Sequence, residues 1–236
     1  MAKFFVDKES VNDDNIIITG SDVSHIKKVL RMREGDSLTI SDKAGMDYEC
    51  EITSIGQDEV VCAILSKKAC ETEPEVFVTL YQCIPKSGKM DSIIQKAVEL
   101  GVGRIVPVLS KRCVAKAEKT ERWQKISSEA VKQCKRGVIP EVAPAMTFAE
   151  AVKEFCQNEV ALFPYEEAKD GAINVQKGVK TVGIMIGPEG GFDKTEVEMA
   201  EKLGAKIVTL GKRILRTETA GSTVLSIVMF NLGEMS

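Results

Sequence analysis

Hydrophobic positions in the first 68 residues fall in short runs instead of at helical spacing. Ile16-Ile17-Ile18, Ser37-Leu38-Thr39-Ile40, Tyr48 to Ile55 and Val60 to Leu65 read as strands. Between them lie Gly35-Asp36, Lys43-Ala44-Gly45 and Gly56-Gln57-Asp58, residues that favour turns. One stretch, Asp22 to Met32, places Val23, Ile26, Val29 and Leu30 at helical spacing, with Ser21 or Asp22 available as an N-cap. Several short strands with one helix predict a small β-barrel. Lys67 to Glu75 is polar, ends in Glu73-Pro74-Glu75, and reads as a linker.

From residue 76 the pattern changes to strands alternating with helices, as a mostly parallel sheet requires. Strands are predicted at Val76 to Ile84, Ile105 to Leu109, Val160 to Phe163, Thr181 to Ile186 and Lys206 to Leu210. Helices are predicted at Met90 to Leu100, Glu118 to Lys135, Phe148 to Phe155, Asp193 to Leu203 and Glu218 to Leu232. Asp193 and Glu196 have the spacing of a capping box. The last helix is apolar on almost every side, which predicts burial all round, within the chain or against a second copy. Two domains follow, over residues 1–70 and 74–236.

Composition narrows the chemistry. With 44% hydrophobic and 28% charged residues over 236 positions, the chain has the make-up of a globular protein. No run of 18 uncharged apolar residues exists, so no membrane partner is expected. An acid at Asp7 comes too early for a signal peptide. Seven cysteines without a Cys-x-x-Cys pair suggest reduced thiols and a cytoplasmic location. A single histidine, His25, makes a metal site improbable, so none is expected. The net charge of −3 hides a basic block: residues 86–136 carry 13 Lys and Arg against 5 Asp and Glu. Such a block favours approach to phosphates and suggests RNA, although a solvated helix face has the same composition.

Three loops lie at the carboxyl ends of the last three predicted strands, where open α/β sheets bind ligands. They are Pro164-Tyr165-Glu166-Glu167, Gly187-Pro188-Glu189-Gly190-Gly191-Phe192 and Leu210 to Gly221. The glycines permit close backbone approach to a ligand, but the pattern is neither Gly-x-Gly-x-x-Gly nor Walker A. In the third loop Thr217 reads as an N-cap and Glu218 as a first-turn acid. Ile214-Leu215 set among basic residues has no such local explanation.

Gly-Pro-Glu-Gly-Gly, followed about twenty residues later by Leu-Gly-x-Arg-Ile-Leu-Arg-Thr-Glu-Thr-Ala, resembles the RsmE family. These are 16S ribosomal RNA (uracil-N3)-methyltransferases of the SPOUT superfamily. Further matches are Pro85-Lys86-x-x-Lys89-Met90-Asp91, Gln95-Lys96-x-x-Glu99-Leu100-Gly101-Val102, Ser110-Lys111-Arg112 and Glu129-Ala130-x-x-Gln133-Cys134-x-Arg136. His25-x-x-x-Val29-Leu30-Arg31-Met32-x-x-Gly35-Asp36 matches the N-terminal module. Nearly the whole chain is covered; loop 164–170 aligns poorly.

The resemblance implies a PUA-like barrel before a SPOUT-type parallel sheet with a C-terminal trefoil knot, acting as a homodimer on 16S rRNA of the small ribosomal subunit. It implies S-adenosyl-L-methionine as cofactor, held by Leu162, Gly187, Pro188, Glu189, Gly190, Gly191, Leu210, Gly211, Ile214, Leu215, Thr217, Thr219 and Ala220. Arg216 would stabilise charge on the uracil carbonyls, and Glu218 would be the nearest base, with Glu189 behind it. Arg31, Arg33, Lys86, Lys89, Arg112, Gln133 and Arg136 would contact RNA. A related knotted methyltransferase acting on a ribose 2′-oxygen or another base, and a non-catalytic RNA-binding or ribosome-assembly factor, are the rival readings. The intact cofactor motif disfavours the second.

Overall fold

The computed structural model describes residues 2–86, 88–114 and 120–235 and divides into two compact units. The first comprises residues 1–73 with 131–139, the second 74–130 with 140–236.

In the first unit β1 (Lys3–Phe5), β2 (Asn15–Thr19), β3 (Ser37–Ser41), β4 (Met46–Ile55) and β5 (Glu59–Ala69) form one curled sheet in the order β1-β3-β4-β5-β2. Alternation places Ile16, Ile18, Leu38, Ile40, Cys50, Ile52, Val60 and Cys62 in the core, while Ile17, Thr39, Glu49, Glu51, Val61 and Ala63 are more exposed; Ser41, beside Ile40, is buried and donates to the Gly137 carbonyl. β1, too short to show periodicity, pairs in parallel with β3 and was not foreseen. β5 runs on through Lys67 and Lys68 because Met46 pairs with Ala69, so the expected linker starts later than its polarity suggested. The expected helix at 22–32 is α1 (Ser21–Ser24) continuing into a π-helical turn over His25–Leu30 and ending at Arg31 with φ 54°. A π turn bonds i to i+5 and so shifts the 3.6-residue spacing that put Val29 and Leu30 on the core face; here Val29 and Leu30 stay exposed while Val23 and Ile26 enter the core.

The 131–139 segment belongs to this first unit, which departs from the expected single second domain over 74–236. Arg136, 4% exposed, pairs with Glu73 at 2.7 Å through Nη2, and the backbone N–H groups of Gly137 and Val138 donate to the same carboxylate.

In the second unit β6 (Phe77–Cys83), α2 (Met90–Glu99), β7 (Arg104–Leu109), α3 (Thr120–Cys134, its last four residues in the first unit), β8 (Glu141–Val142), β9 (Met146–Thr147), α4 (Phe148–Phe155), β10 (Val160–Pro164), β11 (Thr181–Ile186), α5 (Lys194–Lys202), β12 (Lys206–Val208) and α6 (Thr217–Leu232) follow in chain order. The sheet runs β12-β10-β11-β6-β7-β8, with β9 also on β7, and its pairs are parallel. Glu118 and Lys119, expected at the start of α3, lie outside the described residues. The short strands β8 and β9 were not foreseen, being two residues each.

Tyr81, Phe148, Phe155, Phe163 and Phe192 stack through tilted and edge-on contacts in the core beneath the sheet. α4 and α5 both begin with complete capping boxes, Thr147 with Glu150 and Asp193 with Glu196. α6 buries Val224, Leu225, Val228 and Met229 but leaves Phe230 69% exposed, so one chain does not cover it all round. Among the described residues no helix is long and apolar enough to cross a membrane.

Candidate functional site

A cavity of about 470 Å³ opens where β10, β11 and β12 end. Its walls are Pro164 to Glu166 after β10, Gly187 to Phe192 after β11, Thr209 to Thr217 after β12, and Lys89 and Ala220. Parallel pairing of β10 with both β11 and β12 sends all three loops out at the same end of the sheet. That size falls within the range of small-molecule sites, and the lining mixes apolar side chains with glycine backbone.

Two glycines explain why this loop sequence is needed. Gly191 has φ +67°, and a side chain there would run into the Glu166 carboxylate. At Gly187 a Cβ would lie 3.0 Å from the Phe192 ring, which closes the cavity from below. Arg112 clasps the loop from outside, its Nη1 donating to the Gly190 carbonyl at 2.8 Å while Nη2 lies 3.8 Å from Asp193. Lys111 reinforces the same corner, donating through its backbone N–H to Glu196 and through Nζ to Asp193. Hydrogen bonds from Thr195, followed by Lys111, hold the Asp193 carboxyl down at about 2.

Thr217 does not cap α6; Arg216 occupies the N-cap position without a side-chain cap bond. The Thr217 hydroxyl instead donates to the Gly187 carbonyl at 2.7 Å and accepts from Gln82 Nε2 at 2.9 Å. Gln82 is fully buried at the end of β6 and also donates to the Cys83 carbonyl. This chain of bonds ties β6, the Gly187 loop and the start of α6 together. Sequence reasoning missed Gln82, although an amide inside the apolar run Val76 to Ile84 was a visible signal.

Lys89 also sits elsewhere than expected. It lines the cavity, with Nζ 3.2 Å from Glu189 Oε1 and 3.4 Å from Glu218 Oε2. Glu189 accepts in addition from the backbone N–H of Lys86. Burial pushes the Glu189 carboxyl up, but its backbone and Lys89 hydrogen bonds outweigh this and leave it below the usual carboxylate range. The hydrogen bonds Lys89 donates, to Glu189 first and then to Glu218, raise its own pKa, and it stays an ammonium. Tyr165 is raised, chiefly by burial and then by Glu167, and keeps its phenolic proton.

Of the residues expected to form the cofactor wall, Gly187, Pro188, Glu189, Gly190, Gly191, Leu210, Gly211, Ile214, Leu215, Thr217 and Ala220 line the cavity, as does Arg216. Leu162 does not, because it lies inside β10, flanked by Ile184 and Lys206 on the neighbouring strands. Thr219 is exposed on α6 away from the wall. Ile214 is on the rim but 86% exposed, so it is not part of a closed slot in the single chain. Glu218 reaches the rim only through Lys89. Pro164, Tyr165, Glu166, Phe192, Lys212 and Arg213, all in the three loops singled out from the sequence, also line the wall, and Ile186 and Thr209 join it from just before two of those loops, where they were not foreseen.

Of the residues expected to meet RNA, Arg31, Arg33 and Gln133 are exposed in the first unit, while Lys86 and Arg112 are exposed in the second. Arg136 is a correction: its guanidinium is buried against Glu73 and does not offer its charge to a phosphate. The basic block is therefore not one surface. Part of it clasps loops and part builds the first unit.

Comparison with known proteins agrees with this geometry. A family model described as an RNA methyltransferase domain matches residues 72–229, and one described as an RNA methyltransferase PUA domain matches residues 18–65. The chain is 32% identical to ribosomal RNA small subunit methyltransferase E of Bacillus subtilis, over 98% of this chain and 96% of that one. The crystal structure of the enzyme of that name from Neisseria gonorrhoeae, bound to S-adenosyl methionine, superposes with a TM-score of 0.89 at 30% identity, covering 98% of each chain. A Legionella pneumophila methyltransferase in complex with the same cofactor has a TM-score of 0.84 at 29% identity, covering 97% of this chain and 96% of that one. The matched domains, the near full-length relatives and the three-loop cavity together place this chain in the ribosomal RNA small subunit methyltransferase E (RsmE) family.

Proposed function

We propose that this protein methylates N3 of a uridine in 16S rRNA of the small ribosomal subunit, using S-adenosyl-L-methionine. The observation that carries the reading is the cavity at the ends of β10, β11 and β12, in a chain whose relatives include structures bound to that compound. The residues present fit it. Gly187 to Gly191 offer backbone to a ligand edge, and Leu210, Leu215 and Ala220 offer an apolar face. When bound, the cofactor supplies an electrophilic methyl group.

The acceptor nitrogen is weakly acidic and mostly protonated at neutral pH, so its proton must leave as the new bond forms. Arg216, exposed at the rim, directs its fork at a uracil carbonyl, where negative charge develops. Glu218, two residues on, accepts the N3 proton. Glu189 is the poorer acceptor, since its hydrogen bonds already favour the ionised form. The target uridine must be unpaired in the site, because N3 lies on its pairing edge.

Arg31, Arg33 and Gln133 in the first unit and Lys86 in the second supply donors for RNA. We place the protein in the cytoplasm, as a homodimer whose second copy covers Phe230 and Ile214. The threading of 164–216 is read as a trefoil knot. Calorimetry with S-adenosyl-L-methionine, followed by mass spectrometry of nucleosides from treated rRNA of a deletion strain, tests the proposal. It predicts uptake of the compound and a gain of 3-methyluridine; no uptake, or methyl groups on ribose only, overturns it. Light scattering on wild type and on Phe230→Asp tests the dimer, which should dissociate in the variant.

A further inference from the structure

We propose that Lys89 is a catalytic residue for uracil, donating to one carbonyl of the base while Arg216 serves the other, with Glu218 between them taking the N3 proton; this rests on the functional reading above. The observation behind it is a contrast among the helix starts. α4 and α5 begin with capping boxes, the arrangement that satisfies free backbone N–H groups. α2 and α6 instead have Lys89 and Arg216 at the N-cap, both lining the cavity and neither making a side-chain cap bond.

A cation at a helix N-terminus opposes the helix dipole and gives up a cap. Two such violations at one cavity are what a site assembled for chemistry displays, at a cost to helix stability. What they provide is a region of positive potential at the rim, suited to charge that develops on carbonyl oxygens.

Lys89 is held in place for this role. Glu189, anchored by the Lys86 backbone N–H at 3.1 Å, fixes one N–H of the ammonium at 3.2 Å. Glu218 takes a second at 3.4 Å. An ammonium has three donors, and among the described residues the third has no partner. Glu189 is thus the positioning residue, and Glu218, with the single longer contact, is the carboxylate with capacity to accept a proton.

The pairing edge of uracil reads acceptor, donor, acceptor. With Lys89 and Arg216 at its carbonyls and Glu218, held on Lys89 at 3.4 Å, at its N3–H, the base would meet donor, acceptor and donor, the complement of that edge. Cytosine presents an unprotonated N3 and an amino group instead. It would set a lone pair against the Glu218 carboxylate and an amino group against a cation, so the same array rejects it. In the step itself the N3–H bond would break toward Glu218 and the N3 electron pair would form the bond to methyl, while the methyl–sulfur bond breaks and its electron pair stays on the neutralised sulfur; the charge passing onto the carbonyls would be met by Lys89 and Arg216.

The test is single-turnover methylation of rRNA from a deletion strain by wild type, Lys89→Met and Lys89→Arg, with cofactor affinity measured by calorimetry on the same samples. Wild type must first form 3-methyluridine; if it does not, the functional reading fails and this one with it. Lys89→Met is expected to lose about 100-fold in rate, the scale of one lost oxyanion donor, with cofactor affinity within threefold of wild type. Lys89→Arg should recover at least tenfold of that loss. A Lys89→Met rate within threefold of wild type overturns the proposal. So does a loss of rate matched by an equal loss of cofactor affinity, which would make Lys89 a loop support only. Glu189→Gln, which loosens the anchor, should slow transfer less than Lys89→Met; the reverse order also overturns it.

Discussion

Replacing Thr217 by Val removes one hydroxyl and keeps the β-branched shape, so the packing at this buried position changes little. What is lost is the donor to the Gly187 carbonyl at 2.7 Å and the acceptor for Gln82 Nε2 at 2.9 Å. Gln82 is wholly buried and keeps only its bond to the Cys83 carbonyl. Two net hydrogen bonds at about 1 kcal/mol each, with part of the desolvation cost of the orphaned groups, give a loss of about 2–3 kcal/mol. For a chain of this length each kcal/mol moves Tm by about 2–4 °C, so a fall of roughly 4–12 °C is expected. The Gly187 loop also loses its tie to α6, and if about 1.4 kcal/mol of the loss appears in binding, Kd for S-adenosyl-L-methionine rises about tenfold. Scanning calorimetry and titration calorimetry measure the two effects. Thr217→Ser should remain near wild type. In the double variant Gln82→Met/Thr217→Val the losses should fall short of additive by at least about 0.5 kcal/mol, because both partners of one bond are gone. Thr217→Val with Tm and Kd unchanged, or a strictly additive double variant, would refute the coupling of β6, the Gly187 loop and α6.

Arg136→Met should destabilise the protein by about 3 kcal/mol, by leaving the Glu73 carboxylate without its cation in a largely buried place, read as a shift of the urea midpoint. The same variant should leave the salt dependence of RNA binding unchanged, since a guanidinium facing Glu73 releases no counterions from phosphate. Gly191→Ala forces an L-residue to φ +67° and presses its methyl against Glu166, so cofactor affinity should fall at least tenfold while most of the fold survives; titration calorimetry decides. The Asp193 carboxyl, held at about 2 by Thr195 and Lys111, lies below its unfolded value, so its stabilisation is present above about pH 4 and is lost as pH falls through 2. Asp193→Asn should therefore flatten the dependence of the urea midpoint on pH between 4 and 2, and an unchanged slope would argue against the linkage.

Features carried by close neighbours in sequence were legible before the structure. Asp193 and Glu196 stand three residues apart and form the capping box their spacing implied. The glycine loop after β11 and the basic loop after β12 meet in one cavity, as their places at strand ends suggested. Features carried by distant partners were not legible. Gln82 and Thr217 are separated by 135 positions, and nothing in either neighbourhood announces the bond. Arg136 looked like one more cation in a basic block, yet its partner is Glu73. Lys89 looked like a phosphate donor, yet it holds two carboxylates 100 and 129 residues away, one in the Gly187 loop and one in the first turn of α6.

Periodicity, turn residues and caps by themselves determined most of the strands and helices and the loops that carry the glycines. These follow from free energies that depend on a few adjacent residues, so a one-dimensional pattern is enough to express them. Tertiary structure alone decided which charges are buried in pairs, which amide holds the cofactor loops together and which cations face the cavity. Those outcomes depend on desolvation and on distances of about 3 Å between segments far apart in the chain, and only the folded backbone sets such distances.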